Sequence, residues 1–126
     1  MQDRESSYPQ DWFTQGARDF ERVKKRLAEQ DWGDAAFHLQ QALEKYLKGY
    51  LLSKGWQLRR THNLQTLLDE ATIHDATLER FRFACQEITA YYFLDRYPFF
   101  AAAPSADEIE SARLIGQELI RALGPF

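Results

Sequence analysis

The 126-residue sequence has one cysteine, one methionine, six glycines and four prolines. A lone Cys85 excludes an intramolecular disulfide framework and suits a reducing cytosol, so a cytoplasmic location is expected. The glycines, at 16, 33, 49, 55, 116 and 124, are too scattered to build a phosphate-cradling loop. No Gly-x-Ser-x-Gly elbow occurs. Residues 1–10 are polar and acidic, without the apolar centre of a signal peptide, and are expected to form a flexible N-terminal segment. No apolar run approaches the length of a membrane span. His38, His62 and His74 show no His-x-x-x-His spacing, and Cys85 has no nearby ligand, so no metal or cofactor is expected.

β-Branched residues are also scarce. One Val, five Ile and six Thr stand against 15 Leu and 15 Ala. That balance favours helices over strands, and the apolar residues recur at steps of three and four. The expected fold is all-α: one domain over 1–126, an up-and-down bundle of four long helices plus one short helix.

The first helix is expected from Asp11, as its cap, to Glu29, with the stripe Phe13, Ala17, Phe20, Val23 and Leu27. The second runs from Trp32 to Lys54, capped by Asp31 and stopped at Gly55. Its stripe is wide enough to meet two neighbours. Glu44 and Lys48 are four apart on this helix and read as a surface ion pair. A short third helix is expected over His62–Glu70, capped by Thr61. A fourth follows Asp75 and reaches Leu94 as one continuous helix, with Cys85 buried in its stripe. Pro98 forces a turn, and Ser105 with Glu108 forms a capping box for the last helix, which Gly124-Pro125 ends.

Charge is unevenly spread. The total is −3, which argues against a whole-surface nucleic-acid binder. Residues 18–60 hold ten Lys+Arg and six Asp+Glu, a local +4, while residues 61–126 hold five and ten, a local −5. Aromatics are concentrated too: six of the ten residues from Tyr91 to Phe100. Tyr91, Tyr92, Phe93, Phe99 and Phe100 exceed what a small bundle can bury alone, and are expected in an interface.

Three segments carry a resemblance when taken in order. They are the run Ala36 to Leu52 followed by Gly55, Thr61-His62-Asn63-Leu64 with Leu67-Leu68, and Tyr91-Tyr92 with Asp95-Arg96-Tyr97-Pro98. Together they resemble HEPN domains over roughly Trp12 to Leu123. The resemblance implies a bundle of four or five helices that commonly dimerises. Small prokaryotic members often accompany a minimal nucleotidyltransferase in toxin–antitoxin-like pairs. Many cut RNA through an Arg and a His four to six residues apart, the His moving a proton from the 2′-hydroxyl and the Arg stabilising phosphorane charge. Here no His follows Arg96, so the sequence resembles the non-nuclease branch and no catalytic residue is assigned.

The candidate ligand-binding residues are Gln41, Lys45, Lys48, His62, Arg96 and Tyr97. Lys and Arg suit phosphate, and a nucleotide is the ligand considered. The expected function is a homodimeric binding module paired with a minimal nucleotidyltransferase. The alternative is a ribonuclease toxin with a degenerate Arg/His site. Single-strand nucleic-acid binding by the aromatic run is disfavoured by its acidic flank.

Overall fold

Proline opens the first helix. Pro9 occupies its first turn, where its missing N–H costs nothing, and Tyr8 is the cap residue without a side-chain hydrogen bond. The helix therefore starts two residues earlier than Asp11, which lies in its first turn. Residues 6–8 are tied to it: the Trp12 indole donates to the Ser6 carbonyl at 2.8 Å, and Ser6 Oγ donates to Asp11 at 2.6 Å. The computed structural model describes residues 5–94 and 104–126. Among them are five α-helices: α1 (Pro9–Ala28), α2 (Trp32–Ser53), α3 (Leu64–His74), α4 (Arg82–Thr89) and α5 (Ala106–Leu123). There is no strand among the described residues. The all-α bundle read from the sequence is the fold observed.

The helix α2 is the central element. It packs along α1 on one side and touches α3, α4 and α5 on others. Its stripe is correspondingly broad: Ala35, Leu39, Leu43, Leu47 and Leu51 are all buried. Gly55 follows it with φ 87°, a left-handed conformation that only glycine adopts without strain. The helices α1 and α2 approach closely through two glycines. A Cβ at Gly49 would lie 2.6 Å from the Phe13 ring, and one at Gly16 would lie 2.9 Å from the Tyr46 ring. Gly49→Ala is expected to lower stability by about 1–2 kcal/mol, overpacking outweighing the gain in helix propensity. Gly33→Ala, with nothing within 4 Å of the new Cβ, should be neutral or stabilising. Urea unfolding of the two variants checks the contrast.

Two expected elements differ. The third helix begins at Leu64, not His62, because Asn63 rather than Thr61 caps it; the Asn63 carboxamide accepts from Gln65 and Thr66 N–H. Thr61 Oγ1 instead accepts from the Asn63 N–H, holding the loop before the helix. This helix also continues past Glu70 to His74 and stops where Asp75 turns extended. The fourth helix is not continuous. A 3-10 segment, Ala76–Phe81, precedes α4, and a second, Ala90–Phe93, follows it. Leu78 and Phe81 are three apart and both buried, a spacing that three residues per turn satisfies. The last helix matches its expectation, with both arms of the Ser105–Glu108 capping box present. Expectations about Asp95, Arg96, Tyr97, Pro98, Phe99 and Phe100 lie outside the described residues.

Cys85 is fully buried in the α4 stripe, as expected, and burial pushes its thiol up to about 12. A raised folded value means that the unfolded chain ionises first as pH rises. Stability should thus fall between pH 9, the ordinary value, and about 12. Cys85→Ala should flatten that limb. The native thiol should react with a thiol reagent only as fast as the protein opens.

Candidate functional site

Helical spacing sorts the polar residues of α2 into two sets. Gln40, Glu44 and Lys48 follow one another at steps of four, so they share a face. His38 and Lys45 are seven apart, two turns along a second face. Both faces meet α1, and the first also meets the loop before α3.

Glu44 is the hub of the first set and is almost completely buried. Its Oε2 accepts from Lys48 Nζ at 2.9 Å, and its Oε1 lies 2.9 Å from His62 Nδ1. Oε1 also accepts from the Gln40 amide at 3.1 Å. The same amide nitrogen reaches the His62 carbonyl at 2.9 Å, fixing the loop before α3 to α2. Gln41 donates to Gln40 Oε1 at 2.7 Å and adds a longer contact to Glu44. Lys48 is only 2% exposed, with its ammonium 5.3 Å from the centre of the Trp12 ring. The expected surface pair is therefore a buried one. The correction has a physical cause: α1 and the 55–63 loop close over this face, and the charges balance inside a low-dielectric region.

Asp19, on α1, is the hub of the second set. It is 3% exposed, although it is a carboxylate. Lys45 Nζ donates to its Oδ2, and His38 Nδ1 lies 2.8 Å from its Oδ1. His38 Nε2 lies 3.4 Å from Asp34, which in turn accepts from Arg26 Nε at 2.7 Å. Glu29 and Asp34 together raise the Arg26 guanidinium, Glu29 the more. The network runs across the α1–α2 seam and ties the two helices together.

Four of the sequence-nominated residues fall within this region, but not in one cleft. Gln41, Lys48 and His62 converge on Glu44, whereas Lys45 turns to Asp19. His62 lines a cleft of about 400 Å³ with Arg60, Thr61, Thr89, Tyr92 and Phe93. Its ring stacks on Tyr92 with centroids 4.1 Å apart and planes 15° apart. Lys45 lines a separate cleft of about 310 Å³ beside Trp12 and Gln15. Arg96 and Tyr97 lie outside the described residues, as do Phe99 and Phe100. Of the interface candidates, Tyr91 and Tyr92 are half-buried and Phe93 is 51% exposed.

Asp19, Gln40 and Tyr92 were missed as parts of these networks. A signal existed for the first two. Asp19 falls between Gly16 and Val23 at helical steps, on the buried side of α1. Gln40 falls between the buried Ala36 and Leu43 at helical steps, on the core side of α2. A polar residue at a core position implies a buried partner. The Tyr92–His62 stack joins a 3-10 segment to the loop before α3, and the position of that loop has no periodic signal.

No helix among the described residues is long and apolar enough to cross a membrane. Comparison with known proteins places the chain. No match was found among curated proteins. The crystal structure of TT1696 from Thermus thermophilus is similar, with 27% identity, TM-score 0.80, and coverage of 91% of this chain and 94% of that one. ST0689, an archaeal HEPN homologue, shares the fold at 22% identity and TM-score 0.73, with 92% and 94% covered. A family model for the HEPN domain matches residues 9–124, from the first residue of α1 to just beyond α5. The chain belongs to the HEPN domain family.

Proposed function

We propose that this protein is a non-catalytic HEPN-type binding module that homodimerises and pairs with a minimal nucleotidyltransferase. In this reading the cleft beside His62 helps hold a nucleotide, or the substrate that receives one. The observation that carries it is the incomplete cutting motif: Arg96 is present, and no His follows it. The arrangement of the basic side chains adds support. Lys45 and Lys48 are engaged by Asp19 and Glu44. Contact with a ligand then falls to the cleft that His62 lines with Thr61, Asn63 and Thr89, with Arg96 and Tyr97 following in sequence. An exposed aromatic face suits a base, and a guanidinium suits phosphate. Tyr91, Tyr92 and Phe93, with Phe99 and Phe100, are the proposed dimer contacts.

Calorimetric titration with ATP and GTP at millimolar concentration, with and without the nucleotidyltransferase, tests the ligand. Binding that disappears in a Tyr92→Ala variant supports the cleft. No heat in either arm rejects the nucleotide. Sedimentation tests the dimer, and co-purification tests the pairing.

One observation favours the alternative ribonuclease reading. Glu44 holds His62 at Nδ1, which in the Nδ1–H tautomer leaves Nε2 for proton transfer. His62→Gln and Arg96→Ala separate the two. Loss of an RNA-cutting activity in both variants would favour the enzyme.

A further inference from the structure

The depression between α4 and α5 differs in character from the clefts described above. It has a volume of about 330 Å³. Ile88 forms a buried apolar floor, flanked by the half-buried Ala84 and Ala112. Phe83 and Ile115 stand beside it, 72% and 41% exposed. Around this apolar strip lie the exposed carboxylates Glu87, Asp107 and Glu108, and no Lys, Arg or His among the described residues lines it.

The acidity has no counter-charge among the described residues. Elsewhere in the acidic half of the chain four described carboxylates are matched, while Asp75 accepts from Thr77 and Glu118 has no ion pair among the described residues. Arg82 pairs with Asp69 and Glu79, Arg59 with Glu70, and Arg113 with Glu110. Glu87 and Asp107 have no ion-pair partner among the described residues, and Glu108 serves the α5 capping box. The Tyr91 hydroxyl registers the same field. Burial raises it, and the Glu108 and Glu87 carboxylates raise it further.

A second copy of the same face is a poor occupant. A two-fold contact is self-complementary, so it would bring these unpaired carboxylates towards their own counterparts. The basic face of α1 is also a poor match, because the exposed apolar residues beside Arg18, Arg22 and Lys25 are only the small Ala17 and Ala28. The groove needs apolar and cationic groups together. We propose that the α4–α5 groove docks a cationic amphipathic helix of a partner protein. An apolar side chain sits over Ile88 and Ala112, and flanking Lys or Arg residues meet Glu87, Asp107 and Glu108. The groove takes such a helix whether or not the partner is a nucleotidyltransferase.

The test uses a fluorescently labelled helical peptide with Leu on one face and Lys on its flanks. A control peptide has Glu in place of Lys. The full chain should bind the Lys peptide at least about tenfold more tightly than the Glu peptide, and salt should weaken the binding. Glu87→Gln with Asp107→Asn should weaken it about tenfold or more, and Ile115→Asp should abolish it. Both variants change exposed side chains, and circular dichroism checks their folding. Absence of binding, equal affinity for the two peptides, or indifference to both variants would overturn the proposal. So would an oligomer that Ile115→Asp converts to monomer, since a second copy would then be the occupant.

Discussion

Glu44→Ala should destabilise the fold by about 3–5 kcal/mol, the range for removing one partner of a buried ion pair. The substitution leaves the Lys48 ammonium 2% exposed with no carboxylate beside it. It also removes the acceptor of the Gln40 amide and the anchor of the His62 ring. In thermal unfolding the loss should appear as a drop of roughly 10–20 °C for a domain of this size. Lys48→Met should cost less, because Glu44 keeps His62 and the Gln40 amide as partners. Replacing both, with Glu44→Leu and Lys48→Met, should recover much of the loss, since no charge is then buried alone. A double-mutant cycle in urea measures the coupling. Strictly additive effects would mean that the pair is screened by water and that this face is more open than the structure has it.

Asp19→Ala should be the second most damaging change, costing about 2–3 kcal/mol, the scale of hydrogen bonds to charged groups. Asp19 receives both Lys45 and His38, and so joins α1 to α2 at two points a helical turn or more apart. The expected cost is smaller than for Glu44 because Lys45 retains 24% side-chain exposure and can turn to water. Asp19→Asn should recover part of the loss by keeping the hydrogen bond to His38. Hydrogen exchange offers a second readout. The α1 amides should lose protection in Asp19→Ala more than the α3 amides do, because the lost contacts lie on the α1–α2 seam.

The bundle was legible because its signals are local. Leu and Ala at steps of three and four, Asp31 and Ser105 as caps, and Gly55 with its left-handed backbone each act within a few residues. Boundaries failed where two caps competed. Thr61 and Asn63 both suit a helix start, and the choice between them depends on the His62 carbonyl being held by Gln40 and Thr89. The break between α4 and its 3-10 flanks was hidden because Leu78, Phe81, Cys85 and Ile88 satisfy a continuous helical stripe as well as the observed mixture. The family was legible from three segments in order, and the match over residues 9–124 agrees.

The site was only partly legible. Glu44 and Lys48 show the same spacing whether they face water or the core, so sequence alone placed them outside. Their burial follows from α1 and the 55–63 loop closing over α2, a tertiary fact. The separation of Lys45 from Lys48 has the same origin. Three residues along a helix is enough for one to reach Asp19 and the other to turn to Glu44.

The proposal that this HEPN domain binds rather than cuts rests on the absence of a spaced His after Arg96. The most direct measurement is incubation of the purified protein with RNA, alongside Arg96→Ala. Intact RNA in both samples is the predicted result. Cleavage by the native protein that disappears in Arg96→Ala would contradict it.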